Sequence, residues 1–456
     1  MNAEEMEFSK VQKWSFSLSS LSTYFIMGAF NIWVFSFYFV AVGLPTIYIM
    51  LAFILWTIWN SINDPLIGYL SDRTHTRWGR RLPYIIIGTI PICIIEIILW
   101  IPPTGSHFIT FIYLLVLLIC FDTFYTCVYL FETVFPELYI SIEDRAEVNT
   151  MKQVLGMIGI LLSFLIPGIF IEDLTKPTGY LINGIVTSII VGLTLFIAIK
   201  WGVKERKEFQ LDHQHDFSFI QGMKYTFNNR GFILYVIVFF LYEYLVLLVG
   251  TIFPLYCKHV LHVSPFETSI LLGLMLLIGL ATIAIWMKLD IRIGGRKAFA
   301  FAMIAYIICT IPLLFVTSYI SVLLIILFAG FGWGGMMYFV WLLIADIIDE
   351  DELKTGVRRE GTYIGSSVFF MRLAMVASII TISFVFTSSG WEEYTPNPGA
   401  DIILGIKLLM VVFPGIAIAL SLICLYFYPF TKEYVQEIKQ NMAELHMSKK
   451  ERVKSN

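Results

Sequence analysis

The chain has 456 residues, of which 58% are hydrophobic and 14% charged, and its formal net charge is -3. Its mean hydropathy of +0.79 is too high for one water-soluble core to bury the apolar side chains, which excludes an ordinary soluble domain. No strongly acidic or basic tail points to nucleic acid. The composition therefore indicates a polytopic membrane protein.

Hydrophobic runs of about 20 residues, the length of one helical crossing, recur along the whole chain. These runs are continuous and do not alternate with polar residues, which excludes a transmembrane barrel. We predict an all-α membrane protein with twelve transmembrane helices, near 15–42, 46–72, 82–102, 109–136, 152–174, 180–202, 231–257, 264–290, 297–317, 319–346, 361–388 and 403–429.

Basic residues concentrate in the loops that follow even-numbered spans, whereas the opposite loops hold little beyond Lys176 and Lys258. By the positive-inside rule, the basic loops and both termini are expected in the cytoplasm. The first nine residues are acidic and polar and do not form a cleavable signal peptide.

The longest polar stretch divides the spans into six and six, and similar polar segments follow corresponding spans in each half. Arg77–Arg81 after the second span corresponds to Arg292–Lys297 after the eighth, at an offset of roughly 215 residues. We predict a six-helix bundle over 1–203, a cytoplasmic connector over 204–230, a second bundle over 231–430 and a cytoplasmic tail over 431–456.

No metal site or cofactor is expected. The six cysteines are scattered in or beside apolar spans without paired spacing. The segment Asp212–Asp216 has metal-like composition but lies in the polar connector. No Walker-type loop is present, so energy must come from an ion gradient or be absent, and no enzymatic activity is predicted.

Two motifs resemble those of one family. The segment 63–81, NDPLIGYLSDRTHTRWGRR, is similar to the signature of the glycoside-pentoside-hexuronide:cation symporters, the melibiose-permease branch of the major facilitator superfamily. The segment 345–361, ADIIDEDELKTGVRREG, resembles that family's block between spans ten and eleven. The resemblance implies the major facilitator fold, two pseudo-symmetric six-helix bundles with a site between them at the membrane midplane.

The basic turn of the first motif has the features of a cytoplasmic gate. Gly68 permits close helix contact, Asp72 can interact with a helix end or an arginine, and Arg80 and Arg81 can bridge the bundles. A simple topology anchor is the alternative. The predicted gate comprises Gly68, Asp72, Arg73, Gly79, Arg80, Arg81, Arg145, Asp346, Asp349, Arg358, Arg359 and Glu360.

A carboxylate at membrane depth is costly and is interpreted as functional. Asp64 has Asn60 one turn away and Asn63 beside it, and helix-rise arithmetic allows Arg372 of span eleven to meet it. Coupled relatives usually have a second carboxylate at the position of Asn60 and a lysine at that of Arg372. One aspartate beside an arginine favours a proton over sodium, although H+ and Na+ both stay open. A purely structural ion pair with uncoupled diffusion is the alternative.

Other polar and aromatic residues are candidates for the substrate cavity. In the resembling sugar permeases, acidic residues on spans one and four hold sugar hydroxyls, but Tyr24 and Val128 occupy those positions here. Glu132 is equally a gate candidate, and for the aromatic residues packing is the alternative. The candidate cavity set is Tyr24, Trp56, Asp122, Tyr125, Glu132, Glu243 and Trp341.

The sequence predicts a secondary active transporter that couples a monovalent cation to a small polar organic solute by alternating access. A sugar or glycoside is the first expectation, and a lysolipid or other amphiphile is the alternative. A substrate sensor that does not transport is an alternative of another class. Beyond the solute, the cation and the lipid bilayer no partner is expected, and the chain is expected to function as a monomer.

Overall fold

The computed structural model of the protein describes residues 8–74, 76–139, 141–203, 226–227, 229–355 and 359–455. Every segment of regular structure in these ranges is helical, and the bridged pair Thr76 and Gly79 closes a turn. Predicted elements at 1–7, 204–225 and 356–358, including Arg358, lie outside the described residues.

Seven helices cover the described residues of the first half of the chain. Helices α1 and α7 each continue into a π-helical turn, Phe37–Ala41 and Ala198–Gly202 respectively. The helices are α1 (Lys10–Ser36), α2 (Thr46–Arg73), α3 (Leu82–Ile98), α4 (His107–Tyr129), α5 (Phe131–Leu138), α6 (Ile142–Phe170) and α7 (Pro177–Ile197).

Eight helices follow among the described residues from 229 onward. Short π-helical or 3-10 turns, Cys257–Leu261, Ile311–Leu314 and Leu408–Val412, extend three of them. The helices are α8 (Arg230–Tyr256), α9 (Pro265–Ile293), α10 (Gly295–Thr310), α11 (Tyr319–Thr355), α12 (Glu360–Ser388), α13 (Ala400–Lys407), α14 (Phe413–Phe427) and α15 (Lys432–Ser455).

Eleven helical segments in the described part of the chain are long and apolar enough to cross a membrane. Helix α3 is a shorter apolar helix of 17 residues at the position of the predicted third span. It rises about 25 Å, somewhat less than the ~30 Å hydrocarbon core of a bilayer. The predicted class, an all-α multi-pass membrane protein, is confirmed.

The helices form two compact units. The first contains the described residues up to 203 with 262–270 and 386–398, and the second contains 226–261, 271–385 and 399–455. The predicted boundary at 204–230 stays a prediction, since most of that segment lies outside the described residues.

Small side chains allow close helix packing within each unit. In the first unit, a Cβ atom on Gly159 of α6 would lie 2.5 Å from the carbonyl oxygen of Leu21 on α1. In the second, a Cβ on Gly332 of α11 would lie 2.6 Å from the backbone nitrogen of Tyr306 on α10. Both positions therefore require glycine. Helix α15 also packs against α11 in the second unit.

Candidate functional site

A buried polar cluster joins α2 to α4 in the first unit. The side-chain amide of Asn63 donates to the Asp122 carboxylate at 3.1 Å, to the Asp122 carbonyl at 3.2 Å and to the Thr126 hydroxyl at 2.8 Å. Asp122 is 1% exposed and Asn63 is fully buried. The two helices are therefore joined at this level by hydrogen bonds as well as by apolar packing.

Asp64 belongs to the same cluster. The hydroxyl of Thr126 donates to Asp64 Oδ1 at 2.7 Å, and the side-chain amide of Asn60 donates to Asp122 Oδ1. Asn63 and Thr126 thus connect the carboxylates of Asp64 and Asp122 through a continuous chain of hydrogen bonds.

Helical periodicity explains how each helix presents its part of the cluster. Asn60, Asn63 and Asp64 stand at spacings of three and four residues on one face of α2, and Asp122 and Thr126 stand four apart on α4. One turn away, the indole of Trp59 donates to Thr123 at 3.0 Å, which extends the polar contact along the same helix pair.

The cluster has the donor chemistry of a hard-cation site. Asp64 and Asp122 supply carboxylate oxygens, and Thr126 supplies a hydroxyl oxygen. The Asn63 side-chain oxygen is buried without a hydrogen-bond partner among the described residues, so it remains able to bind a cation. Oxygen ligands of these three kinds suit alkali and alkaline-earth ions.

Arg372, the predicted partner of Asp64, lies in α12 of the second unit. Its pairing with Asp64 stays a prediction. Asp122, which sequence reasoning assigns to the substrate cavity, lies in the α2–α4 cluster beside the predicted cation-coupling residues.

The aromatic candidates differ in their surroundings. Trp56 is buried with its ring 5.3 Å from that of Phe30, whereas Tyr24 and Trp341 are exposed. Tyr125 stacks between Phe121 and Tyr129, with ring centroids 6.0 and 5.8 Å apart. The described contacts of Trp56 are those of a packing residue, and Tyr24 and Trp341 present accessible rings.

The two acidic candidates outside the cluster also differ. The Glu132 carboxylate accepts a hydrogen bond from Lys152 of α6 at 2.7 Å, so the pair ties the start of α5 to α6. Glu243 lies on α8 between Tyr242, which is buried, and Tyr244, whose hydroxyl donates to Thr381 at 3.1 Å. Their roles in substrate binding stay predictions.

Glu137 contacts both arginines of the basic turn in the first unit. Glu137 of α5 contacts Arg80 at 2.5 Å and Arg81 at 2.7 Å, and Arg81 also donates to the Thr133 carbonyl at 2.7 Å. Arg80 and Arg81 are 4% and 6% exposed. Gly79, with φ of 113°, has the left-handed backbone that this turn requires. Both arginines are thus fixed within their own unit, and a bridge between bundles stays a prediction.

Other predicted gate residues of this unit are anchored locally. Arg145 donates to the carbonyls of Tyr139 at 3.1 Å and Pro136 at 3.0 Å, which caps the end of α5. The guanidinium of Arg73 lies 4.0 Å from the ring centre of Tyr69. A Cβ on Gly68 would meet nothing within 4 Å, and the side chain of Asp72 lies outside the described residues.

In the second unit the acidic gate residues contact the tail helix α15. Lys439 lies 2.7 Å from Asp349 and 3.3 Å from Asp346. The Tyr434 hydroxyl donates to Glu350 at 2.6 Å. Arg359 lies 3.5 Å from Asp351, and Glu360 is the first residue of α12.

Electrostatics supports this docking of the tail. Burial lowers the pKa of the Lys439 ammonium, but the hydrogen bond to Asp349 and the charge of Asp346 outweigh burial and raise the pKa above its ordinary 10.5. The hydrogen bond to Glu350, followed by burial, raises the pKa of Tyr434 to about 12.

Sequence reasoning missed Thr126, Lys439 and Tyr434. The spacing of Thr126 from Asp122 signals a shared face, but no local signal indicates the contacts of the tail.

The chain belongs to the family of MFS/sugar transport proteins, whose model matches residues 15–432. This confirms the resemblance drawn from the two motifs. The fold is that of the major facilitator superfamily. The crystal structure of the nucleoside transporter NupG matches with a TM-score of 0.68 at 12% identity, over 93% of this chain and all of that one.

Two relatives indicate the range of the family. A protein of Xenopus tropicalis named sodium-dependent lysophosphatidylcholine symporter 1 is 23% identical, over 88% of this chain and 83% of its own. The isoprimeverose transporter of Lactiplantibacillus pentosus is 22% identical, over 92% of this chain and 89% of its own. The chain is therefore similar along most of its length to transporters named for quite different solutes.

Proposed function

We propose that the protein is a secondary active transporter in which the α2–α4 cluster binds the coupling cation. The observation that carries this proposal is the hydrogen-bonded link between Asp64 and Asp122 through Asn63 and Thr126. Two carboxylates inside membrane-spanning helices are costly, and a cation that binds between them offsets that cost. Family membership supports transport as the activity.

Sodium is the ion that we propose. A single carboxylate beside an arginine would favour a proton, but Asp122 supplies a second carboxylate from α4. With the hydroxyl of Thr126 and the free oxygen of Asn63, the cluster offers several oxygen ligands, as sodium prefers. The relative from Xenopus tropicalis is named sodium-dependent.

A sugar or glycoside is the first solute that we propose. Accessible rings such as Tyr24 and Trp341 suit stacking on a sugar, and one relative is named an isoprimeverose transporter. A lysolipid is the second candidate. The position where resembling permeases hold sugar hydroxyls with an acidic residue on span four is Val128, which is buried, and another relative is named for lysophosphatidylcholine.

The test is uptake into proteoliposomes containing the purified chain. Labelled isoprimeverose and lysophosphatidylcholine are each offered under a sodium gradient and, separately, under a pH gradient. We expect uphill uptake of one solute under the sodium gradient. The variant Asp64→Asn should lose uphill uptake and retain solute exchange, because it keeps the size of the side chain and removes one charge of the cation site.

Two further variants separate the site from general damage to the α2–α4 contact. Thr126→Val removes a cluster hydroxyl, whereas the control Thr123→Val removes a hydrogen bond one turn away and should leave the sodium dependence unchanged. Asp122→Asn should weaken sodium coupling. Adding Asn60→Asp returns a carboxylate to the same hydrogen-bonded pair and should restore it. Sodium-driven uptake that survives Asp64→Asn would contradict the cation site, and binding without exchange would favour a sensor.

The remaining assignments are proposals of the same kind. Both termini are cytoplasmic, the chain functions as a monomer, and the basic turns and acidic helix ends form the cytoplasmic gate. Single cysteines introduced at Lys176 and Arg77 test the topology. We expect reagents added on opposite sides of the membrane to label them.

A further inference from the structure

A cavity of about 390 Å³ lies where four helical ends of the second unit meet. Gly294 and Arg296 come from the junction of α9 and α10, Tyr426 from the end of α14, and Thr431 and Lys432 from the start of α15. The membrane-spanning segments of this unit end at Ile293 and Phe427 and begin at Gly295. The cavity therefore lies at a membrane surface.

Three cations line this cavity: Arg296, Lys297 and Lys432. Within the described ranges, no carboxylate lies within the 4.0 Å of an ion pair from any of them. Arg296 donates to the Tyr426 carbonyl, and Lys432 donates to the Arg292 carbonyl at 3.1 Å. These neutral carbonyl acceptors orient the side chains of Arg296 and Lys432 and do not neutralise their positive charges.

Backbone geometry brings the cations together. Gly294 has φ of 85°, and a Cβ there would lie 2.7 Å from Cβ of Lys432. Only glycine therefore allows α15 to start this close to the α9–α10 turn. The cavity also lies at the N-terminal ends of α10 and α15, whose unsatisfied N–H groups add to the positive potential.

The other side of the cavity is apolar. Ala300, Leu422 and Leu425 line it, and Tyr426 beside it is 73% exposed. Aromatic side chains of this kind are typical of the interface between hydrocarbon and headgroups. A cationic corner that adjoins an apolar wall at the end of membrane spans matches the two parts of a lipid, its headgroup and its acyl chain.

Two acidic groups lie close enough to weaken the field. Glu433 is exposed, and its pKa is lowered first by its own backbone and Thr431 and then by the charges of Lys297 and Lys432. Asp290 accepts a hydrogen bond from Tyr338 at 3.5 Å and does not line the cavity. Two nearby carboxylates against three cations still leave a net positive site.

We propose that this cavity binds an anionic phospholipid, with its phosphate among Arg296, Lys297 and Lys432 and an acyl chain against Ala300 and Leu422. Clusters of basic residues between transmembrane helices at a membrane surface bind such headgroups. A lipid is favoured over free phosphate because the apolar wall is part of the same cavity. The site is separate from the α2–α4 cluster and does not rest on the proposed transport activity.

The experiment titrates the delipidated full-length chain in detergent with dioleoylphosphatidylglycerol, dioleoylphosphatidylcholine or inorganic phosphate. Native mass spectrometry measures bound lipid, and thermal unfolding measures stabilisation. We expect tight binding of phosphatidylglycerol only. Each basic residue at such a surface contributes about five-fold in affinity, so Arg296→Gln with Lys297→Gln should weaken binding roughly 25-fold.

The single variant Lys297→Glu covers the case in which the double variant fails to fold, because Lys297 is exposed. It should weaken phosphatidylglycerol binding at least as much as the loss of one charge. The control, Lys176→Gln with Lys200→Gln, removes two positive charges elsewhere and should bind as the unmodified chain does. The proposal would be overturned if phosphatidylcholine or phosphate alone bound as tightly as phosphatidylglycerol. An unchanged affinity for phosphatidylglycerol in Lys297→Glu would also overturn it.

Discussion

The two basic turns of the repeated halves have different partners. After α2, Arg80 and Arg81 are buried and both contact Glu137 of α5. After α9, Arg296 is only partly buried and Lys297 is exposed, and both line a cavity with no carboxylate in ion-pair contact among the described residues. Similar positions in the repeat thus give a closed ion-paired turn in one unit and an open cationic surface in the other.

The tail helix accounts for part of this difference. In the first unit the acidic residue after span four is neutralised by the basic turn itself. In the second, Lys439 of α15 lies at the acidic end of α11, against Asp346 and Asp349, and the Tyr434 hydroxyl donates to Glu350. Helix α15 follows the last span of the second unit, so these partners come from outside the repeated spans.

The largest effect is expected from removing the shared carboxylate of the first turn. Glu137→Gln removes a carboxylate that contacts two buried guanidinium groups, those of Arg80 and Arg81. We expect a loss of about 3 kcal/mol in the free energy of unfolding, because removing one partner of a buried ion pair is strongly destabilising. Unfolding by SDS, followed by circular dichroism, measures it.

The matched control is Glu172→Gln, which removes the carboxylate of an exposed pair with Lys176 at 3.7 Å. Surface pairs of this kind contribute about 0–1 kcal/mol. If Glu137→Gln and Glu172→Gln gave equal losses, the first turn would not depend on its buried ion pairs.

The membrane class and the span positions could be predicted from sequence because bilayer thickness fixes the length of each apolar run. The grouping of Asn60, Asn63 and Asp64 also followed, since these residues share one face of a single helix. The contact of Asp122 with Asn60 and Asn63 did not follow, because it depends on the rotation of α4 about its axis. Helix α4 is apolar all round, so hydropathy does not reveal that rotation.

The tail docking was not predicted for a different reason. Lys439 is 90 residues from Asp349 in sequence, and a lysine on a charged helix has many equivalent solvated arrangements. Only the position of α15 on α11 selects the pair, and that position depends on packing at the end of the last span.

A smaller effect is expected from the tail contact. Lys439→Gln should increase amide hydrogen exchange over α15 at pH 8, with a global destabilisation below about 1 kcal/mol because Lys439 is half exposed. The pKa of Lys439 is raised above 10.5 in the folded state, so its contribution is fully present below pH 10.5 and is lost as the pH rises through the folded pKa. Relative to the intrinsic exchange rate at each pH, the unmodified tail should therefore lose protection as the pH rises through the folded pKa, and Lys439→Gln should not. An equal loss of protection in both proteins would exclude Lys439 as its cause.

The smallest effect on stability is expected where the second basic turn is neutralised. In lipid-free detergent, Lys297→Gln should change the free energy of unfolding by no more than about 0.5 kcal/mol, because an exposed lysine without an ion pair has little interaction energy to lose. Arg81→Gln, its counterpart in the first turn, leaves Glu137 with one partner fewer and should cost several times more. Adding phosphatidylglycerol should stabilise Lys297→Gln less than it stabilises the unmodified protein. It should stabilise Arg81→Gln as much as it stabilises the unmodified protein. If Lys297→Gln were as damaging as Arg81→Gln without lipid, the second turn would also be held by ionic contacts, and the proposed division between a closed turn and a lipid-binding turn would be wrong.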